Sequence, residues 1–389
     1  MSMSVIIYLS NVRFLPCEEL KMKLIEVTIY IVKMRMKNPF VTSFGAVQDK
    51  PVLVIQAKDE SGVIGWGEGV AFEAPSYTEE TAKTSLHMLE DFLIPMLLQR
   101  ELTHPDEVSE LFKPIRRNNM AKAAIEGAVW DIYAKLINRP LSEAIGGTRK
   151  KVEIGISVGL QPTDEELFQI IEDYIAQGYK RVKVKIKPGR DIELIQTIRS
   201  RFGNLPLMAD ANSAYTLADL PLLKALDEFN LLMIEQPLAH DDLVEHALLQ
   251  KELSTPICLD ESITSIEDMK RAVMLGSCQV VNLKVARVGG ITETKRIHDY
   301  GVKHGISIWC GGMLEAGIGR AQAVAVASLS GFTLPGDTAA SSRYWDEDII
   351  DPEVKVENGL ISISDKPGLG YTVKQSFIEQ IAERKIVLA

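Results

Sequence analysis

The second half of the chain repeats a strand followed by a helix, and this repeat constrains the fold more than any other feature. Helical patterns, such as those at 164–177 and 192–202, lie between the strand-like runs. Continuous apolar strands alternating with helices indicate a parallel sheet covered by helices. The strand-like runs are VEIGISV, RVKVKI, PLMAD, LLMIE, PICLD, QVVNLK and ISIWC, with FTLPGD at 332–337 as a weaker eighth.

About eight such units predict a compact (β/α) barrel. An open doubly wound sheet is the alternative architecture. It is disfavoured because no glycine-rich nucleotide loop follows the first strand-like run.

Charged residues end five successive runs at nearly constant intervals. Lys185, Asp210, Glu235, Asp260 and Lys284 are separated by 25, 25, 25 and 24 residues. In a barrel the carboxyl ends of the strands form the face that carries the active site, so we expect these five side chains to meet there. Three neighbouring carboxylates repel one another and raise each other's pKa. A hard divalent cation relieves that repulsion, and ligands without His or Cys favour Mg²⁺ or Mn²⁺ over zinc.

Each of these residues also has an ordinary structural interpretation. A single acid after a strand usually caps a helix or faces solvent, and Asp260 could cap the helix that follows ESITS. Lys183 and Lys185 are two apart on one strand and project to the same side. Lys183 could form a structural ion pair with the acids. Two ammonium groups and a metal ion in one cavity would lower the pKa of a lysine such as Lys185 or Lys284, which could then act as a base.

The rest of the chain lacks the repeat. Residues 24–33 alternate like a half-buried strand, 51–58 and 63–66 flank the turn sequence DESG, and an apolar stripe rich in alanine predicts a helix over 118–136. The last 45 residues predict short strands and loops that fold back on this unit. The predicted organisation begins with an N-terminal extension at 1–21, which lies outside the fold and need not be ordered. An α+β capping domain follows at 22–145 and the barrel at 146–345. A C-terminal segment at 346–389 returns to the capping domain.

Composition excludes several classes of protein. A net charge of −10 and a pI near 5.3 disfavour nucleic acid and anionic membranes as partners. No apolar run has the length of a membrane span, and the N-terminus lacks a basic leader and a cleavage site. Cys17, Cys258, Cys278 and Cys310 are scattered without disulfide or metal spacing. These features predict a reduced, cytoplasmic protein.

From about Met22 to the C-terminus, the chain resembles the muconate-lactonising subgroup of the enolase superfamily, and within it the o-succinylbenzoate synthase/N-succinylamino acid racemase branch. The resemblance rests on KVKIKPG, DANSAYTLAD, MIEQPL, TPICLDES, NLKVARVGG and WCGGMLEAGIGRA. It implies a (β/α)7β barrel of TIM type, and an α+β N-terminal capping domain that the C-terminal tail completes. It also implies that the loop at 38–45 closes over the substrate.

The same resemblance implies a role for each candidate site residue. Lys185 and Lys284 are expected to be the catalytic acid/base pair, and Asp210, Glu235 and Asp260 to bind Mg²⁺, with Mn²⁺ as a substitute. The expected substrate-binding residues are Lys183, Asn212 and Arg287.

The implied activity is Mg²⁺-dependent removal of a proton α to a carboxylate in a small molecule, by a homo-oligomeric enzyme. One such reaction is dehydration to o-succinylbenzoate, a step toward menaquinone, in which Lys185 takes the α-proton and Lys284 stabilises the intermediate. The same lysines could racemise N-succinylamino acids.

Three alternatives to this activity differ in what they require. A dipeptide epimerase or another amino-acid racemase of the same subgroup needs the same lysines and metal, but no aspartate pair follows the seventh strand-like run to bind the ammonium group of a dipeptide. An acid-sugar dehydratase would need a histidine that ISIWCGG does not offer. A non-catalytic metal-binding barrel leaves both lysines unexplained.

Overall fold

The computed structural model describes residues 20–42 and 45–389. Most of the predicted extension, residues 1–19 with Cys17, lies outside the described residues, as do Ser43 and Phe44 in the predicted closing loop. The first strand begins at Met22 and contains the alternating run predicted at 24–33.

The N-terminal unit is built on an antiparallel sheet. In the first strand, Val32, Met34 and Met36 are buried while Lys33 and Arg35 between them are exposed, which is the alternation of a sheet with one covered face. The turn DESG joins the second and third strands as predicted. The strands are β1 (Met22–Thr42), β2 (Gly45–Asp59), β3 (Ile64–Gly69) and the short β4 (Glu101–Leu102).

Helices cover this sheet. The helix predicted over 118–136 is α4, and its backbone touches the third strand so closely that a Cβ on Gly65 or Gly67 would lie 2.1 or 1.9 Å from its carbonyl oxygens. Small residues on both sides therefore allow this close packing. The helices are α1 (Ala82–Met88), α2 (Ile94–Leu97), α3 (Asp106–Leu111), α4 (Asn119–Leu136) and α5 (Leu141–Ala144), with a π-helical segment at Leu89–Leu93.

The predicted run VEIGISV forms two strands rather than one. β5 (Lys151–Glu153) pairs outside the barrel, and β6 (Ile156–Val158) starts the barrel sheet. The chain passes Arg181 at Gly155, where a Cβ would lie 2.7 Å from the guanidinium, so only glycine fits between the two strands.

The barrel sheet is parallel and follows chain order from β6 to β12. Its further strands are β7 (Val182–Lys185), β8 (Leu207–Asp210), β9 (Ile234–Glu235), β10 (Ile257–Leu259), β11 (Val280–Leu283) and β12 (Ser307–Cys310). Its helices are α6 (Asp164–Ala176), α7 (Ile192–Phe202), α8 (Leu220–Ala225), α9 (Val244–Glu252), α10 (Ile266–Leu275), α11 (Val285–Val288), α12 (Ile291–Lys303) and α13 (Gly317–Val326). Short 3₁₀ turns lie at Leu217–Asp219, Leu226–Phe229 and Ser341–Arg343.

The run FTLPGD closes the ring without forming a regular strand. Phe332 bridges Ile308 on one side and Gly336 bridges Ile154 on the other, both in parallel. Pro335 has no N–H to donate, which explains why the eighth position contributes isolated bridges instead of a ladder. The predicted (β/α)7β barrel is confirmed, with seven strand–helix units and a weak eighth strand.

The C-terminal segment returns to the N-terminal unit. β14 (Leu360–Ser362) pairs with β5, and β13 (Ile350–Asp351) pairs with β15 (Thr372–Val373). After α14 (Gln375–Ile381), β16 (Ala382–Leu388) pairs antiparallel with β1. Across the described ranges, no helix combines the length and hydropathy needed to cross a membrane.

Candidate active site

Three buried carboxylates stand at the carboxyl ends of adjacent barrel strands. Asp210 ends β8, Glu235 ends β9 and Asp260 follows β10, and their exposed fractions are 1%, 0% and 1%. Two residues earlier on each strand, on the same inward face, lie Met208, Met233 and Cys258, which form an apolar layer with Val280 and Trp309. The acids therefore lie above an apolar cluster inside the barrel.

Lysines of β7 contact two of these acids. The Nζ atom of Lys183 lies 3.1 Å from Glu235, 3.4 Å from Asp210 and 2.7 Å from Asp337. The Nζ atom of Lys185 lies 2.7 Å from Asp210. The structural ion pair considered for Lys183 is thus present, and Asp337 is an additional partner that follows the weak eighth strand.

The third acid is contacted from the other flank. The Nζ atom of Lys284 lies 2.8 Å from Asp260 and 2.9 Å from the hydroxyl of Tyr77, and Arg287 also pairs with Asp260. The Tyr77 hydroxyl lies 3.2 Å from Asp260. Tyr77 belongs to the segment between β3 and α1, so the N-terminal unit contributes directly to the site.

The predicted substrate-binding role of Arg287 stays a prediction, and the structure shows its contacts within the protein. Its guanidinium is buried and donates to the carbonyls of Ile263 and Asn282, to the Tyr77 hydroxyl and to Asp260. These contacts use its donors inside the protein, and Arg287 does not border the cavity described below. Its contacts support Asp260 and Tyr77.

Asn212 connects Lys185 to a further buried acid. Its side-chain oxygen accepts from Lys185 Nζ, and its amide nitrogen donates to Glu261 at 3.2 Å. Asn212 and Lys183 both border the cavity. Their substrate-binding role stays a prediction.

Neighbouring acids raise the pKa of two lysines of the site. Burial alone would lower the pKa of Lys284, but the charge of Asp260 and the contact with Tyr77 outweigh burial and raise it above its ordinary value. For Lys183 burial also acts downward, and Asp337, Glu235 and Asp210 raise the pKa well above normal. The nearest neighbours of each ammonium are acids, which raise its pKa. The predicted fall refers to a site that also holds a metal ion and stays a prediction.

The acids differ among themselves. Burial and the charge of Asp210 raise the pKa of Glu235 to about 7. Burial would raise the pKa of Asp260 as well, but Lys284 and Arg287 lower it to about 2. The expected rise in carboxylate pKa is therefore present at Glu235. At Asp260 the neighbouring cations outweigh it.

The donor chemistry fits a hard divalent cation. Three buried carboxylates from neighbouring strands offer oxygen ligands only. The Oε2 atom of nearby Glu261 is buried without a hydrogen-bond partner, and burial with the charge of Asp260 raises the pKa of Glu261 to about 8. In the parts of the chain that the structure describes, no three His, Cys, Asp or Glu side chains converge as a ready-made ligand set. Lysine and arginine side chains meet the acids in this arrangement.

A cavity of about 610 Å³ opens onto these groups. It is bounded by three parts of the molecule: the β1–β2 hairpin, the segment after β3, and the carboxyl ends of the barrel strands. The predicted residues that border it are Lys183, Lys185, Asp210, Asn212, Asp260 and Lys284. Glu235 lies beneath it, fully buried.

Some cavity residues were not predicted from the sequence. Asp337 ends the eighth apolar run, in the position equivalent to the predicted acids, and this register could have identified it. Tyr77 and Arg320 also border the cavity, but neither follows a strand end or belongs to a repeated spacing.

Family models match both parts of the chain. Residues 24–146 match the N-terminal domain of the mandelate racemase/muconate lactonizing enzyme family, and residues 166–377 match the enolase C-terminal domain-like family. The chain belongs to the enolase superfamily. The predicted membership of its muconate-lactonising subgroup is confirmed.

Enolase-superfamily relatives match over nearly the whole chain. An o-succinylbenzoate synthase of Geobacillus stearothermophilus is 58% identical over 90% of this chain and 94% of its own length. An N-succinylamino acid racemase of Thermus thermophilus is 45% identical over 90% of this chain and 95% of its own. A solved enolase-superfamily structure from Listeria innocua has a TM-score of 0.92 at 42% identity, covering 94% of this chain and 99% of its own.

Proposed function

We propose that this protein is an Mg²⁺-dependent o-succinylbenzoate synthase that also racemises N-succinylamino acids. The observation that carries the proposal is the placement of Lys185 and Lys284 on different flanks of one acid cluster that borders a cavity. Relatives named for each activity, at 58% and 45% identity, support both parts.

Asp210, Glu235 and Asp260 would hold the cation, as expected for a superfamily whose members generally use Mg²⁺. When bound, Mg²⁺ would supply positive charge that stabilises the developing enediolate and lowers the pKa of neighbouring lysines. Burial of the three acids strengthens their electrostatic interaction with that charge, because the surroundings screen it less than water does.

In the dehydration, Lys185 takes the α-proton and returns it to the departing hydroxyl group, which leaves as water. Lys284 stays protonated and stabilises the intermediate by its charge. In the racemisation, one lysine removes the α-proton and the other delivers a proton to the opposite face, so each lysine serves one enantiomer.

The epimerase alternative has less support. A dipeptide carries a free ammonium group that needs an unpaired acid. Asp337 follows the eighth strand, but it already pairs with Arg181 and Lys183. Its charge is therefore matched within the protein.

The N-terminal unit, 22–145, and the segment 346–389 are proposed to cap the cavity. Tyr77 and the β1–β2 hairpin, which border the cavity from this unit, support that role. The homo-oligomeric state and the cytoplasmic location stay predictions.

The test is to incubate the purified protein with Mg²⁺ and an N-succinylamino acid in D₂O, and in parallel with the dehydration substrate. We expect α-deuterium incorporation, racemisation and formation of o-succinylbenzoate, each lost with a chelator and restored by Mg²⁺. Absence of both α-exchange and dehydration would reject the enzyme assignment. Comparing the two turnover rates would show which activity dominates.

A further inference from the structure

Arg320 is a buried arginine at the cavity wall whose charge has no counter-ion. It lies on α13, is 1% exposed, and borders the cavity. Its guanidinium donates to the carbonyl oxygens of Glu315, at 2.6 Å, and Ala339, while its Nε has no hydrogen-bond partner. Within residues 20–42 and 45–389, no carboxylate lies within ion-pair distance of it.

Other fully buried arginines of this protein are neutralised. Arg181 pairs with Asp337, and Arg287 pairs with Asp260. Arg320 stacks on the ring of Tyr344 at 5.0 Å, which offers a cation–π contact but no negative charge. Burying an unpaired charge is costly, so this placement indicates an anion that arrives from the cavity.

The other cations that border the cavity are accounted for. Lys183, Lys185 and Lys284 each contact an acid of the cluster. Lys33 is exposed, so water can solvate its ammonium group. Among the described residues that border the cavity, Arg320 is therefore the buried cation that still lacks an anion.

We propose that Arg320 determines specificity by binding the distal carboxylate of the succinyl group. The inference rests on the proposed function and extends it to the far end of the substrate. The dehydration substrate and the N-succinylamino acids share this second carboxylate. Their other carboxylate lies next to the reacting carbon and belongs at the acid–lysine cluster, so the distal one needs a separate cation. Two donors to carbonyls hold the guanidinium in place, and its Nε–H has no hydrogen-bond partner within the described part of the protein.

The experiment compares two substrates of nearly equal shape, an N-succinylamino acid and its N-succinamoyl analogue, in which a neutral amide replaces the distal carboxylate. For the wild type we expect faster α-exchange, measured as kcat/KM in D₂O, with the charged substrate. Arg320→Gln should lower kcat/KM for the succinyl substrate about 10- to 100-fold, as for loss of a charged hydrogen bond, and leave the succinamoyl substrate nearly unchanged. Arg320→Lys should keep part of the preference.

Arg199→Gln is the matched control, because Arg199 also donates only to backbone carbonyls and lies away from the cavity. It should keep the wild-type preference. A second measurement needs no turnover: calorimetric binding of N-succinyl-2-methylalanine, which has no α-proton, should weaken about 10- to 100-fold in Arg320→Gln.

The proposal would be overturned if Arg320→Gln kept the wild-type ratio of kcat/KM for the succinyl substrate to kcat/KM for the succinamoyl substrate. Unchanged binding of N-succinyl-2-methylalanine would overturn it as well. If the wild type exchanges neither substrate, the proposed function fails. The binding measurement would then still decide the role of Arg320.

Discussion

At the scale of single residues, the site is defined by which cation each acid contacts. Asp210 contacts Lys183 and Lys185, whereas Asp260 contacts Lys284 and Arg287. The two lysines proposed for catalysis thus form ion pairs with different acids at the ends of different strands. This separation makes their contributions distinguishable by substitution.

Lys185→Ala and Lys284→Ala should each lower racemisation about 10³-fold or more, because racemisation needs a proton donor on each face. Each variant should still exchange the α-proton of the enantiomer that faces its remaining lysine, as measured by ¹H NMR in D₂O. Lys187→Ala is the control, since Lys187 is exposed just beyond β7. A lysine variant that racemises at the wild-type rate would contradict the two-base assignment.

Tyr77→Phe should slow proton exchange by Lys284 about 10-fold while leaving exchange by Lys185 unchanged. The ring stays 4.5 Å from Lys284 Nζ, but the hydroxyl that accepts from Lys284 and Arg287 is lost. Steady-state racemisation cannot reveal this asymmetry, because the equilibrium constant between enantiomers is one. The readout is therefore deuterium exchange of each enantiomer separately.

Tyr30→Phe is the control for this substitution, because Tyr30 is also a buried, hydrogen-bonded tyrosine of the N-terminal unit. Equal slowing of exchange for both enantiomers in Tyr77→Phe would indicate a general structural effect instead of a specific contact with Lys284.

At the scale of elements, buried acids of the N-terminal unit cap helices of the barrel. Glu68 of β3 accepts from the backbone N–H groups of Ala316 and Gly319 at the start of α13. Glu126 of α4 accepts from Ile291 and Thr292 at the start of α12. The first N–H groups of a helix have no partner within the helix, and an acid there also interacts favourably with the helix dipole. Hydrogen bonds therefore join the two units in addition to apolar packing.

Glu126→Ala should lower the free energy of unfolding by about 2–3 kcal/mol, because it leaves two buried N–H groups and the Trp130 indole N–H with fewer acceptors. The measurement is urea denaturation followed by circular dichroism. Glu165→Ala, an exposed acid in the first turn of α6, should change the free energy by less than about 0.5 kcal/mol. Equal losses in the two variants would contradict the importance of the interface cap.

At the scale of the whole molecule, the cavity exists because two units meet. The β1–β2 hairpin and Tyr77 close it from one side, and the barrel strand ends from the other. Near this joint lies Lys50, fully buried, whose Nζ contacts carbonyl oxygens including that of Ala71 at 3.2 Å and lies 4.5 Å from the Phe72 ring centroid. Burial lowers the pKa of Lys50 to about 8, although Glu68 and Glu315 act in the opposite direction.

This pKa predicts a specific pH dependence of stability. Between pH 8 and pH 10.5 the unfolded chain holds a proton on this lysine that the folded protein releases, so stability should rise with pH across that window. As the pH falls through 8 the contribution is lost. Lys50→Met should remove the rise, as measured by urea denaturation at several pH values. A slope between pH 8 and pH 10.5 that is identical in wild type and variant would refute the assignment.

Much of the fold followed from local pattern. The helices over 118–136, 164–177 and 192–202 were predicted within one residue at each end, because apolar periodicity is set by the helix itself. The division of VEIGISV into two strands was not predicted, because it depends on Arg181 packing against Gly155 from another part of the chain.

The sequence by itself determined that Lys185, Asp210, Glu235, Asp260 and Lys284 share one mouth of a barrel, because a constant repeat places every strand end at the same edge. Only the tertiary structure decided that Arg287 supports Asp260 and Tyr77 instead of bordering the cavity, and that Tyr77 and Arg320 do border it. Those contacts join segments far apart in the chain, and local periodicity does not predict which distant segments come together.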